Sequence, residues 1–140
     1  MSEMRTIKFF VAVTFITIVL GSCTDLINDK YGDFKIKVDS TNHPGIVLVG
    51  DSLKIKLFGT VGPDGCSQFS HFESTEKPLD LELTIWGKRE EQTACPAVMV
   101  YLNGLEYKTF AGKVGVYKIS IHQPDGSILR DSVIVEPWGI

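Results

Sequence analysis

Any chemistry in this chain would have to come from a few side chains, and their spacing restricts what each can do. His43, His71 and His122 stand in three separate segments. A zinc site draws on ligands at short spacing, and the sequence has neither a Cys-x-x-Cys pair nor two closely spaced histidines. His71 and Glu73 share one strand face, which suits a ligand pair, but no third donor adjoins them, so no metal or cofactor is expected. Ser70 and His71 set a nucleophile beside a base. Successive strand residues point to opposite faces, however, so their side chains are not expected to meet. Glu90 and Glu91 follow Lys88 and Arg89, which is the pattern of a solvated loop tip rather than of an acid–base pair. The sequence has no Gly-x-Ser-x-Gly, no glycine-rich phosphate loop and no His-Glu-x-x-His. The expectation is a protein that is not an enzyme.

Two aromatic residues point instead to recognition. Trp86 is out of phase with Leu81, Leu83 and Ile85, so its ring faces away from the side those residues bury. Trp138 follows Pro137 close to the end of the sequence. An exposed indole is a binding anchor or a platform for a sugar ring. The alternative is that a neighbouring loop or sheet covers Trp86 and that Trp138 packs on the end of the domain.

The 140 residues are 44% hydrophobic and 22% charged with a net charge of −3, which is enough apolar material for one core and too little chain for two. Arg89 and Arg130 are the only arginines after residue 22, so no basic footprint for nucleic acid exists. The N-terminus has a different character. Arg5 and Lys8 precede a run from Phe9 to Leu20 with no charge and no helix breaker. A bilayer core needs ~20 helical residues, so this run is too short to span it and reads as the apolar region of a secretory signal.

Leu20-Gly21-Ser22-Cys23, placed directly after that run, resembles the lipobox of bacterial lipoproteins. The resemblance implies cleavage before Cys23 and a diacylglyceryl group on its sulfur. It divides the chain into a signal peptide (1–22), a lipidated tether (23–32) and one domain (33–140). Several acyl chains hold firmly where one does not, because each buried CH₂ contributes ~0.8 kcal/mol. Thr24 stands where an Asp commonly retains such proteins at the inner membrane, so the resemblance implies the outer membrane, with its periplasmic and surface faces both open. With Cys23 lipidated, Cys66 and Cys95 are left to each other in a compartment where disulfides form. Their bridge would stabilise the fold by ~3–4 kcal/mol in the chain-entropy model.

Beyond the tether the apolar period is two almost throughout. Phe34, Ile36 and Val38 alternate with lysines, and Ile46 to Val49 forms a short second strand. Leu53, Ile55 and Leu57 alternate again, and Gly62-Pro63-Asp64-Gly65 is a turn. In Cys66 to Glu73, Phe69 and Phe72 differ in parity, so this strand is bulged or buried on both faces. Leu79 to Ile85 gives the longest alternation, followed by a charged loop from Gly87 to Thr93. Asn103-Gly104 is a hairpin turn between Ala97–Leu102 and Leu105–Phe110, and Pro124-Asp125-Gly126 is a second between Gly115–Ile121 and Ser127–Val135. Seven to nine such strands, with turns every 8–12 residues, indicate an all-β antiparallel sandwich.

The segment Gly115-Val116-Tyr117-Lys118-Ile119-Ser120-Ile121, with Asp125-Gly126 and Ser132-Val133-Ile134-Val135, resembles the last hairpin of immunoglobulin-like and fibronectin-III-like domains. The resemblance implies an immunoglobulin-like fold with Tyr117 as the tyrosine corner, its hydroxyl bonded back to backbone. Cys66 and Cys95 do not take the antibody spacing, so their bridge would be a different one. Gly50-Asp51-Ser52-Leu53-Lys54-Ile55 and Glu136-Pro137-Trp138 are similar to stretches of chagasin-like cysteine-protease inhibitors, but Gly59-Thr60-Val61-Gly62-Pro63 lacks their Asn-Pro-Thr-Thr-Gly loop. The expected function is a membrane-anchored, non-catalytic binding or assembly module of the envelope, meeting another envelope protein. The alternatives are an accessory lipoprotein for glycans or small ligands, a protease inhibitor, and an enzyme.

Overall fold

The alternation along the sequence resolves into two facing sheets. The computed structural model describes residues 32–91 and 94–139; the expected signal segment, Cys23 and the tether up to residue 31 lie outside them, as do Gln92 and Thr93 of the expected charged loop. Among the described residues the strands are β1 (Phe34–Lys35), β2 (Lys37–Asn42), β3 (Ile46–Leu48), β4 (Ser52–Gly62), β5 (Ser67–Lys77), β6 (Asp80–Arg89), β7 (Val100–Phe110), β8 (Gly115–His122) and β9 (Ile128–Glu136). No helix among them is long and apolar enough to cross a membrane.

The larger sheet runs β5, β6, β8, β9, β3, with the short β1 pairing β6 at Trp86 and Gly87, on the same edge as β8 and beyond its end. The smaller sheet runs β2, β4, β7. The result is the expected β-sandwich. Two of its pairings, β3 on β9 and β6 on β8, are parallel. The second departs from the antiparallel neighbours of an immunoglobulin sheet.

Alternation sets the core. Leu53, Ile55 and Leu57 of β4 face Leu81, Leu83 and Ile85 of β6, with Tyr117, Ile119 and Ile121 of β8 and Val133 and Val135 of β9, all essentially without exposure to solvent. Each such aliphatic side chain contributes ~1.5–3 kcal/mol through burial. On the side where β5 and β7 are both edges, Phe69, Phe72 and Tyr107 close the gap: ring centroids lie 4.8 Å apart between the phenylalanines and 5.1 Å between Phe72 and Tyr107. The expected bulge in β5 falls between Phe69 and His71. The Cys66–Cys95 disulfide is formed, with Cα atoms 5.4 Å apart, and ties the β4–β5 connection to the segment before β7.

Four local expectations are corrected. The first expected strand is split: Phe34–Lys35 pairs with β6 whereas Lys37 to Asn42 pairs with β4, so the chain crosses between sheets at the buried Ile36. Asn103-Gly104 is no hairpin turn, because β7 runs straight through it. Leu57 pairs with Leu105 and Phe58 with Asn103, leaving Gly104 as the extra residue of a bulge at φ 78°, a conformation suited to glycine. Gly87 to Arg89 belongs to β6 rather than to a loop. The Tyr117 hydroxyl meets the Thr109 hydroxyl of β7 at 3.4 Å instead of backbone, so the contact joins the two sheets through side chains.

Candidate functional site

The outward residues of β5, β6 and β8 bring most of the sequence's chemical side chains onto one surface. In β6 these are Glu82, Thr84 and Trp86, opposite Thr75, Glu73 and His71 of β5. Ser120 and His122 of β8 flank Glu82 and Thr84, and Lys35 of β1 flanks Trp86. A cleft of about 260 Å³ opens between them, lined by Lys35, Glu73, Ser74, Glu82, Thr84 and His122 among others.

Trp86 faces away from the core, as its phase requires, and is half-buried. Its indole Nε1 donates to Glu73 Oε2 at 2.8 Å. The Lys35 ammonium lies 5.8 Å from the ring centroid, and the His71 ring stacks 6.2 Å from it at an angle of 13°. Lys35 and His71 come from strands on opposite edges of β6, so the indole is bracketed on both sides. Trp138 is far from this surface, beyond the end of β9, and 61% exposed.

Ser70 and His71 do meet: Ser70 Oγ lies 3.0 Å from His71 Nδ1, against the expectation from alternation. The bulge at this point leaves Ser70 out of register with β6, which removes the opposite-face rule for the pair. Among the described residues no carboxylate pairs with His71, so the ring lacks the orienting acid of a hydrolytic triad. His122 Nε2 lies 3.8 Å from Glu82 Oε2. The group of ligand-type atoms drawn together among the described residues is Asp64, Cys66 and Cys95, and its two sulfurs are bonded to each other. Asp64 is engaged with Arg89 at 2.6 Å.

Two polar junctions, one buried and one part-buried, carried no signal that periodicity could read. The Gln123 amide accepts from Val38 N at 3.0 Å and donates to Val38 O at 3.1 Å, so it supplies β2 with the bonds a neighbouring strand would make. His43, in the crossing from β2 to β3, places Nε2 2.8 Å from Asp131 Oδ2 and Nδ1 3.0 Å from the Pro44 carbonyl. Thr41 donates to the same Asp131 oxygen at 2.5 Å. Burial alone would raise the Asp131 pKa, but the bonds from Thr41, His43 and the Ser132 amide outweigh it and hold the carboxyl below its ordinary value. Here the carboxylate sits between hydroxyl and imidazole, which is a structural clasp and not a nucleophile relay. Burial, aided by the Glu76 carboxylate, raises the Tyr107 phenol.

Of the segments similar to a protease inhibitor, Gly50–Ile55 begins beside Glu136, where Val49 N donates to Glu136 O at 2.8 Å, whereas the stretch that lacks the inhibitors' loop is remote from both. Gly59 to Gly62 lies inside β4, and that strand's C-terminal end is at the opposite end of the sandwich from Trp138. Comparison with protein-family models, with curated proteins and with solved structures gives no match for this chain.

Proposed function

We propose that this chain is a lipid-anchored, non-catalytic binding or assembly module of a bacterial cell envelope, held at the outer membrane through Cys23. The observation that carries the reading is the order of features in the sequence: Arg5 and Lys8, an uncharged run to Leu20, then Leu-Gly-Ser-Cys ending at Cys23, followed by a short tether. Export is supported by the Cys66–Cys95 bridge, a bond suited to an oxidising compartment. A stable sandwich whose outward polar groups largely engage one another is suited to presenting a surface rather than to turning over a substrate.

The test is to express the full chain and its Cys23→Ala variant in a bacterial host, follow both through membrane fractionation, and crosslink in the intact cell. The expected result is a membrane-bound wild type carrying a specific envelope protein, both features being lost in the variant. Equal partitioning of the two forms would overturn the anchor. A second reading, binding of a glycan, rests on the polar cleft beside Trp86. It predicts a change in tryptophan emission on a polysaccharide panel, and a silent panel would remove it.

A further inference from the structure

The outer face of the larger sheet changes character toward the end where β6 begins. Val116 of β8 pairs with Ile134 of β9, and Ile134 pairs with Ile46 of β3. All three point outward, at 55%, 50% and 54% exposure, so an apolar row crosses three adjacent strands in water. Beside Val116 lies a cleft of about 450 Å³ with Leu79 and Val116 on its walls and Lys77, Lys113 and Lys118 around it, together with one carboxylate, Asp80, which pairs with Lys77. The cleft is built by the backbone: Lys118 N donates to Leu79 O at 3.0 Å. Gly115, at φ 141°, leaves room for Leu79, whose methyl would lie 3.2 Å from a Cβ there.

Charge distinguishes this end further. Lys77 is held by Asp80 and Glu82, each at 3.6 Å. Among the described residues Lys113 and Lys118 make no ion pair. Two unpaired ammonium groups beside an exposed apolar row complement a ligand that carries carboxylates next to apolar side chains. A small anion would fill the cleft and leave the row bare, since the row extends over two further strand spacings, about 10 Å. A second copy presenting the same face would set lysines against lysines. Phe34, near the start of the described chain, pairs with Gly87, seven residues along β6 from Asp80 and ~23 Å away, so the patch lies at the end of the sheet remote from β1.

We propose that the surface formed by Leu79, Val116, Ile134 and Ile46 docks an extended acidic peptide segment of a partner protein, with Lys113 and Lys118 receiving its carboxylates. This deepens the reading of the chain as a binding module and rests on it. The test reads the patch alone and is independent of lipid attachment, so failure of the patch and failure of the anchor are distinguishable.

The probe is a fluorescein-labelled peptide, Asp-Glu-Leu-Glu-Ile-Asp, titrated by anisotropy against the full-length chain in neutral detergent. The expected result is saturable binding that weakens as salt rises and drops about tenfold both in Lys113→Glu/Lys118→Glu and in Val116→Asp. Lys54→Glu/Lys56→Glu, which changes net charge equally on the other sheet, leaves binding unchanged. Because every substituted side chain is exposed, equal thermal midpoints verify that the variants fold. Absence of binding at millimolar peptide overturns the proposal. So does equal weakening by the Lys54/Lys56 pair, and so does binding of a peptide with lysines in place of its acids. Phosphatidylglycerol vesicles bound through Lys113 and Lys118, with the peptide inert, would assign the patch to lipid and overturn it as well.

Discussion

The outer face of the larger sheet has two halves that differ in how far their side chains satisfy one another. Near β1, the Trp86 indole N–H donates to Glu73, His71 meets Ser70, and the Lys35 ammonium lies over the indole ring. At the other end Val116, Ile134 and Ile46 stand in water, and among the described residues Lys113 and Lys118 have no carboxylate partner. A ligand at the first half must displace existing bonds, whereas one at the second gains contacts without breaking any. The chemically richer half is therefore the less receptive one, because an internal partner competes with every external one.

The sharpest way to separate the halves is to weaken one end of the scaffold. Replacing both Cys66 and Cys95 with Ser opens a bridge spanning 29 residues at the Trp86 end, and should cost ~3–4 kcal/mol. The measurement is thermal unfolding with and without reductant. Reductant should move the wild type and leave the variant where it is. Below its transition the variant should still bind the acidic peptide, since that patch is built on the far ends of β6, β8 and β9. Loss of binding in the folded variant would mean that the two ends are coupled.

Next in size is Gln123→Leu. It leaves the amide and carbonyl of Val38 without partners inside the sandwich, at ~1–3 kcal/mol for each group. Denaturant unfolding should show a loss of ~2–6 kcal/mol, and hydrogen exchange at β2 should quicken before exchange in β6 does. A loss below ~1 kcal/mol would show that water replaces the amide.

Gln123 also marks the limit of what the sequence discloses. Alternation at Leu53–Leu57, Leu81–Ile85 and Tyr117–Ile121 made the sandwich legible, because inward residues on a half-buried strand must be apolar. The Pro124-Asp125-Gly126 turn was legible for a similar reason: Asp125 Oδ1 accepts from Ser127 N at 2.9 Å, a bond set by local chemistry. Asn103-Gly104 has the same local signature, yet its glycine serves a bulge, and only the pairing of β7 with β4 decides between the two uses. The bulge at Ser70 likewise undid a face assignment that was sound for a regular strand. Gln123 and Asp131 act on residues more than eighty positions away, where no spacing rule reaches. The docking row was hidden for another reason. Val116 and Ile134 look like core residues in sequence, and only their phase relative to Tyr117 and Val133 turns them outward.

A third experiment uses acid to loosen the β2–β3 crossing, which carries Ile46 into the apolar row. Asp131 has a folded pKa below its ordinary 3.8, so as pH falls the unfolded chain takes up this proton first. Its contribution is thus fully present above 3.8 and is lost as pH drops through the folded value. Unfolding free energy measured from neutral pH downward should decline more steeply in the wild type than in Asp131→Asn, which cannot charge. Identical acid limbs would remove Asp131 from the account.

The smallest effect tests the premise of the comparison itself, that the Trp86 half is internally satisfied. Glu73→Gln keeps an oxygen for the indole Nε1 and removes a charge that faces solvent, so stability should change by no more than ~0.5 kcal/mol. Glu73→Ala removes the acceptor, but the indole is half-buried and water can reach it, so the cost should stay near 1 kcal/mol. Emission separates the two variants where stability does not. With Gln the Trp86 spectrum should keep its wavelength, and with Ala it should shift to the red as the ring becomes more hydrated; Trp138, already exposed, contributes a constant background. If Glu73→Ala instead raised binding on the polysaccharide panel, the Glu73 bond would be a lock on a sugar-binding ring, and the Trp86 half would be receptive after all.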